Sequence, residues 1–203
     1  MHRVYWALGL ACLFSACGCD FDVKPVSVVV PAPPSLDDLP LAAHPEYDNW
    51  SKFPVGTKVV RKDNLASAEG EVILHTTLKL AKKSEQGVTI ETQTAIERDG
   101  ARQESDVSSA DYPAQFRLPK GMAIEQFQLP MLKAKQIDSE KLLVIDKEQE
   151  MEVFTFEDQS EAGPVDVKLW RSDEVPGRQV KKEIVDRKGL VLSSSNIVEI
   201  VKP

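Results

Sequence analysis

The sequence predicts an all-β domain, with one short helix accommodated, laid out as an antiparallel meander that curls into a half-open barrel. Three observations predict it. Long runs alternate apolar and polar with period two, which is the pattern of a half-buried strand and not of a helix. The intervals between these runs are short, polar and marked by glycine or proline. Prolines interrupt every other stretch that could have formed a long helix.

In chain order, Tyr47, Trp50 and Phe53 recur every third residue near the domain entry and read as a short helix that plugs the core. Val55 to Arg61, following Pro54, is the first expected strand. Glu71 to Leu80 (EVILHTTLKL) puts Val72, Leu74, Thr76, Leu78 and Leu80 on one face. Val88 to Ile96 repeats the alternation, and the polar interval Ala81 to Gly87 joins the two as a hairpin loop. Asp99-Gly100 then marks a tight turn. Tyr112 to Ile137 is divided by Pro113, Pro119 and Pro130, which forbid one long helix and leave short strands or one short helix open.

The C-terminal half continues in hairpins. Lys141–Ile145 and Glu150–Glu157 flank the polar residues 146–149. Val165–Arg171 and Arg178–Asp186 flank Ser172 to Gly177, and Leu190–Val201 closes the chain after a turn at Arg187-Lys188-Gly189. Within the loop, Val175-Pro176-Gly177-Arg178 suits a type II turn, because proline pre-sets φ at the second position and glycine accepts positive φ at the third. The total is about eight strands with hairpin connections, the pattern of a meander or barrel.

Composition removes whole classes of function. Lys and Arg number 25 against 32 Asp and Glu, a net charge of −7. A nucleic-acid binder needs a basic stripe to neutralise phosphates, so no nucleic-acid partner is expected. All three cysteines lie before residue 20, which excludes a disulfide framework, a thiolate metal site and a cysteine nucleophile from the body. His44 and His75, the histidines beyond the N-terminal segment, are 31 positions apart with no further histidine or cysteine at ligand spacing, so neither a metal nor a cofactor is expected. His75 falls on the polar face of its strand. Ser193-Ser194-Ser195 lacks the Gly-x-Ser-x-Gly surround of an exposed nucleophile. No calcium loop or phosphate-cradling glycine loop occurs. The domain is expected not to be an enzyme.

The N-terminus carries an address. Arg3 precedes an apolar run of 11 residues, Val4 to Phe14. That is too short to span a bilayer, which takes about 20, and fits an export signal. The run ends in Phe14-Ser15-Ala16-Cys17, which resembles the lipobox of bacterial lipoproteins. The resemblance implies cleavage after residue 16 and attachment of diacylglycerol to Cys17, with a further fatty acyl chain of the palmitate type on the new N-terminus. Phe14 stands where the family usually has leucine. Cys19, preceded by Ala16-Cys17-Gly18, is the alternative site. The expected organisation is a signal peptide over 1–16, a proline-rich tether over 17–45 and an antiparallel β domain over 46–203. The tether follows from six prolines in residues 20–45, among them PAPP at 31–34, which favours polyproline II.

A second resemblance covers residues 140–201. The pattern Trp170-x-Ser172-x-x-Val175-Pro176-Gly177 resembles one in bacterial lipoproteins and secreted β-domain proteins of unassigned function. These are distantly similar to the half-barrels of lipoprotein-sorting carriers, whose concave face holds acyl chains. It brings no matched binding residue with it. The expected function is therefore that of an exported lipoprotein, held in the cell envelope on the periplasmic or outer side by its N-terminal lipid. Its β domain would bind an apolar ligand or a partner's segment without catalysis. Trp170, Phe154 and Phe156 are the candidate ligand-binding residues, provided they point inward. The alternative is an envelope lipoprotein whose filled barrel serves structure or protein interaction. A hydrolase using rim carboxylates comes last.

Overall fold

A computed structural model of the chain describes residues 39–67, 70–160 and 163–203. Cys17, Cys19, the signal peptide and the tether up to residue 38 lie outside the described residues. The described part is an all-β, half-open barrel. Its elements are β1 (Leu41–Ala43), α1 (Pro45–Trp50), β2 (Lys58–Ser67), β3 (Gly70–Lys83), β4 (Gly87–Arg98), β5 (Ala101–Glu104) and β6 (Ser108–Pro113). There follow β7 (Gln115–Arg117), α2 (Ile124–Gln128), β8 (Lys135–Val144), β9 (Lys147–Ser160), β10 (Gly163–Arg171), β11 (Gln179–Asp186) and β12 (Val191–Val201).

Ten of these strands form one antiparallel sheet, ordered β5-β4-β3-β2-β12-β11-β10-β9-β8, with β6 pairing the other end of β4's outer edge. The last strand, β12, lies between β2 and β11 and so joins two meanders that are separate in sequence. The sheet ends at β8 and at β5 with β6, and these edges do not pair with each other. β1 and β7 form a separate two-stranded ribbon. β1 falls inside 17–45, the segment expected as a tether, so residues 39–45 are already part of the folded body. Three residues between Pro40 and Pro45 suffice, because β1 pairs with one neighbour only and needs no donor on its other side.

The long hairpins lie where alternation put them, and twelve strands replace the expected eight among the described residues. The extra ones, β1, β5, β6 and β7, have only three to six residues, too few to show a period. Asp99 and Gly100 both take positive φ, 51° and 76°, the two-residue turn that matches strand twist. The β8–β9 turn is tighter than expected. Residues 147–149 belong to β9, and Ile145 and Asp146 alone make the turn at φ 46° and 65°. A β-branched side chain is strained at such a φ.

The helix forms where the aromatic spacing placed it. His44 caps it, its Nδ1 accepting from Glu46 N–H at 3.2 Å, and Pro45 takes the first position, where no donor is needed. Trp50 and the following Phe53 are buried against Val59, Leu80, Val88 and Ile90. Asn49, on the same helix, is fully buried. Its Nδ2 donates to the carbonyls of Asp173 and Val175 at 3.2 and 3.1 Å, and its Oδ1 accepts from Gly177 N–H at 2.7 Å. The Val175–Arg178 turn has the expected form, with Gly177 at φ 72° and Arg178 N–H donating to Val175 C=O at 2.9 Å.

Two outcomes follow from these contacts. Asn49→Ala strands one buried donor and two buried acceptors and should lower unfolding free energy by about 3 kcal/mol in a urea titration; a loss within error would mean the clamp is not structural. Ile145→Asn relieves the positive-φ strain and should raise stability by up to about 1 kcal/mol in the same assay.

Candidate functional site: the inner face and its basal cavity

Side chains directly opposite across an antiparallel ladder share a face, and neighbours along a strand do not. Tracing register from β9 to β4 gives one continuous row: Phe154, Leu169, Lys182, Ser195, Asp63, Leu74 and Ile96. Above it lies a second row of Phe156, Val167, Ile184, Ser193, Leu65 and Val72. Along β3 the same face passes from Leu74 to Leu78 and Leu80, where Trp50 and Phe53 pack, so this is the inner face.

Its two ends differ. The lower end is closed by α1. At the upper end Leu65, Leu74, Ile184 and Phe156 remain half-buried, and Ile96 is 45% exposed. The chain just after α2 covers one side only, with Leu129 and Ala134 packed near Phe154 and Leu169.

The structure separates the three aromatic candidates. Phe154 and Phe156 lie on the inner face, Phe154 buried and Phe156 half-buried beside it. Phe156 and Val167 also border a cavity of about 450 Å³ toward Lys133 and Lys135. Trp170 pairs with Val153 and Lys181, not with Phe154, and therefore belongs to the opposite face. It is buried with Met151, Val153 and Val175, and Ile197 and Ile200 pack against both this cluster and the Trp50 core. Its Nε1–H donates to Glu140 Oε2 at 2.7 Å, and the ammonium groups of Lys168 and Lys181 each stand 4.5 Å from its ring centroid. Each polar and π contact of the indole is thus met within the chain.

Lys168 and Trp170, both hydrogen-bonded to Glu140, hold its carboxyl below the usual carboxylate range. A depressed folded-state pKa contributes stability above the unfolded value and loses it as pH falls through the folded one. His75 lies on the outer face opposite Ala95, as its alternation implied, and pairs with Glu97 at 3.6 Å.

At the base of the inner face is a cavity of about 310 Å³ between the start of α1, the end of α2 and the Val-Pro-Gly turn. Phe127, Leu129, Pro130 and Leu169 form its apolar wall, and Arg171, Arg178 and Gln179 its polar one, with His44 and Glu46 at the rim. His44 packs against Tyr112, Phe116 and Phe127 at 5.2, 5.4 and 6.1 Å between centroids, an aromatic group that joins α1, β6, β7 and α2. Burial pushes the His44 imidazole below its ordinary pKa, so it stays neutral further into acid.

Three arginines meet here. Arg178 is buried and paired with Asp48 at 3.2 Å and Asp173 at 2.8 Å. Arg61 donates to Gly177 C=O at 3.1 Å, and its buried Nε has no partner among the described residues. Arg171 donates to Gln128 C=O at 3.1 Å and lies over the Phe154 ring at 5.4 Å. No described carboxylate comes within ion-pair distance of Arg171 or Arg61. Glu46 turns its carboxylate to Trp50 Nε1, at 3.2 Å.

In the sequence these arginines stand as strand and turn residues and not as candidate site residues, although alternation carries a signal. Val165, Val167 and Leu169 place Arg171 on the inner face of the same strand, and Val59 does the same for Arg61. Among the described residues no group of histidine, cysteine and carboxylates is arranged to hold a metal ion.

No family model and no curated protein matches the chain. Similar solved structures include a chain from Bacteroides fragilis described as an exported protein with a YmcC-like fold. It is 10% identical, with 74% of this chain and 97% of that one covered and a TM-score of 0.48. A chain described as a lipoprotein from Parabacteroides distasonis is 11% identical over 77% and 99%, at 0.47. A domain described as an outer membrane lipoprotein-sorting protein from Vibrio parahaemolyticus is 13% identical over 73% and 85%, at 0.26. At these values none of them assigns an activity or a ligand to this chain.

Acid unfolding tests the electrostatics of the Trp170 cluster. Between pH 6 and pH 3 the wild-type chain should lose more stability than Glu140→Gln, because only the wild type must protonate a depressed carboxyl. Parallel losses in urea titrations at the two pH values would remove Glu140 from that account.

Proposed function

We propose that this chain is an exported lipoprotein, anchored through a lipid on Cys17, whose half-open barrel binds an apolar ligand or an apolar segment of a partner. One observation carries the binding half. The inner face that α1 fills at its lower end bears half-buried Leu65, Leu74, Ile184 and Phe156 and exposed Ile96 at its upper end. Apolar side chains gathered on a concave face, beside a sheet edge that no described strand pairs, offer favourable burial to whatever covers them. Phe154 and Phe156 belong to that face, whereas Trp170 supports the wall from behind. The binding role needs no catalytic group. The anchoring half rests on the sequence: a short apolar run ending in Ser15-Ala16-Cys17.

Both halves have direct tests. The full chain, synthesised without lipid attachment, should enhance the fluorescence of the neutral probe N-phenyl-1-naphthylamine. The double variant Leu74→Lys/Ile184→Lys should abolish the enhancement while retaining its strand spectrum. A wild-type chain that takes up no probe would refute the groove. For the anchor, Cys17→Ser should move the protein from the membrane to the soluble fraction. If only Cys19→Ser does so, the lipid is on Cys19; if neither does, the chain is not held by a lipid.

A further inference from the structure

We infer that the basal cavity is a receptor for an anionic oxygen headgroup, a carboxylate or phosphate, with Arg171 as its anchor, so that the barrel's ligand is an anionic amphiphile. This rests on the proposed apolar-ligand reading and names the chemical class of that ligand.

The argument begins with Arg171's unmet valence. A guanidinium has five N–H donors in a planar fork suited to two oxygens at once. Arg171 uses one of its donors, on Gln128 C=O, and has no described carboxylate at ion-pair distance. It is nonetheless partly enclosed, with Phe154 beneath it and the cavity in front. Enclosed charges are ordinarily paired, because desolvation disfavours a charge that has no partner. The neighbouring arginine shows the contrast: Arg178, on the same cavity wall, has both Asp48 and Asp173. Burial and then the Arg178 charge disfavour the protonated form of Arg171, outweighing the opposite pull of Glu152 across the strand pair and of Asp173 and Glu46, and an incoming anion would offset the remainder.

The surroundings fit a headgroup better than a whole ligand. About 310 Å³ is near the lower limit of small-molecule sites. Gln179 adds a neutral side-chain amide. Leu129 and Leu169 line the cavity beside Arg171, and the Leu169 row continues through Phe154 into the half-buried apolar face above. A head on Arg171 therefore directs an attached chain along that face. Glu46 is the one acidic group at the rim, and its carboxylate is engaged by Trp50.

The test is calorimetric titration of the full chain, synthesised without lipid attachment, with decanoate, decyl phosphate, 1-decanol and inorganic phosphate. Decanoate and decyl phosphate should bind at least tenfold more tightly than decanol. Arg171→Gln should lower both anionic affinities about tenfold and leave decanol binding unchanged, which also reports that the variant is folded. Arg171→Lys should restore part of the loss. Lys188→Gln, a cation in an exposed turn, should change nothing, which separates a local anchor from net charge. Equal binding of decanol and decanoate, or an unaffected Arg171→Gln, overturns the anionic anchor and leaves the apolar groove standing. Inorganic phosphate binding as tightly as decyl phosphate overturns the amphiphile and identifies a site for a free anion. If no decyl compound binds, the groove reading falls with it.

Discussion

The buried side chain of Asn49 is the contact on which the lower half of the barrel depends. A six-residue helix has little stability of its own. It persists because one amide meets two carbonyls and one N–H of the Val-Pro-Gly turn, about 125 residues away in sequence, while Trp50 enters the core beside it. The turn in turn requires glycine. A Cβ on Gly177 would come within 2.8 Å of Arg61 Nη2 and 3.4 Å of the Trp50 ring, at a φ that L-residues rarely adopt. Helix, turn and first long strand are thereby locked at one point, and the walls of the basal cavity are set by that lock.

Charge placement follows from the same lock. Bringing α1 against the turn sets Asp48 beside Arg178, and Arg178 also takes Asp173 from the turn itself. Arg61, within β2, and Arg171, at the end of β10, are drawn to the same place with no described carboxylate at ion-pair distance. On the opposite face the chemistry is self-contained: Glu140, Lys168, Lys181 and Trp170 satisfy one another and brace the wall formed by β8 to β11. Around Trp170 the polar contacts are met within the chain, whereas on the inner face Arg61 Nε is buried without a partner among the described residues, below half-buried apolar surface.

The long hairpins were legible because period two survives over eight or more residues, and the Asp-Gly and Val-Pro-Gly turns because their backbone angles suit few other residues. The β8–β9 turn was read too wide, since Ile145 has no local preference for positive φ and is held there by the pairing on either side. The three aromatic candidates were read as a group, yet alternation already opposes Phe154 and Phe156 to Trp170 once β9 and β10 are aligned. That alignment is a cross-strand fact. Arg61 and Arg171 stand on inner faces by the same alternation, but alternation alone does not tell an enclosed charged side chain from one that reaches solvent, as most do.

Local physics in the sequence by itself determined the fold class, the succession of hairpins, the plugging helix, the turn at Gly177 and the exclusion of thiolate chemistry. Each depends on residues within about ten positions of one another or on composition alone. Only the tertiary structure decided that β12 joins the two meanders, that Trp170 supports the wall while Phe154 and Phe156 face inward, and that Arg171 opens on a cavity with no described carboxylate at ion-pair distance. These are properties of register and of contacts between distant segments, and a one-dimensional pattern carries no term for either.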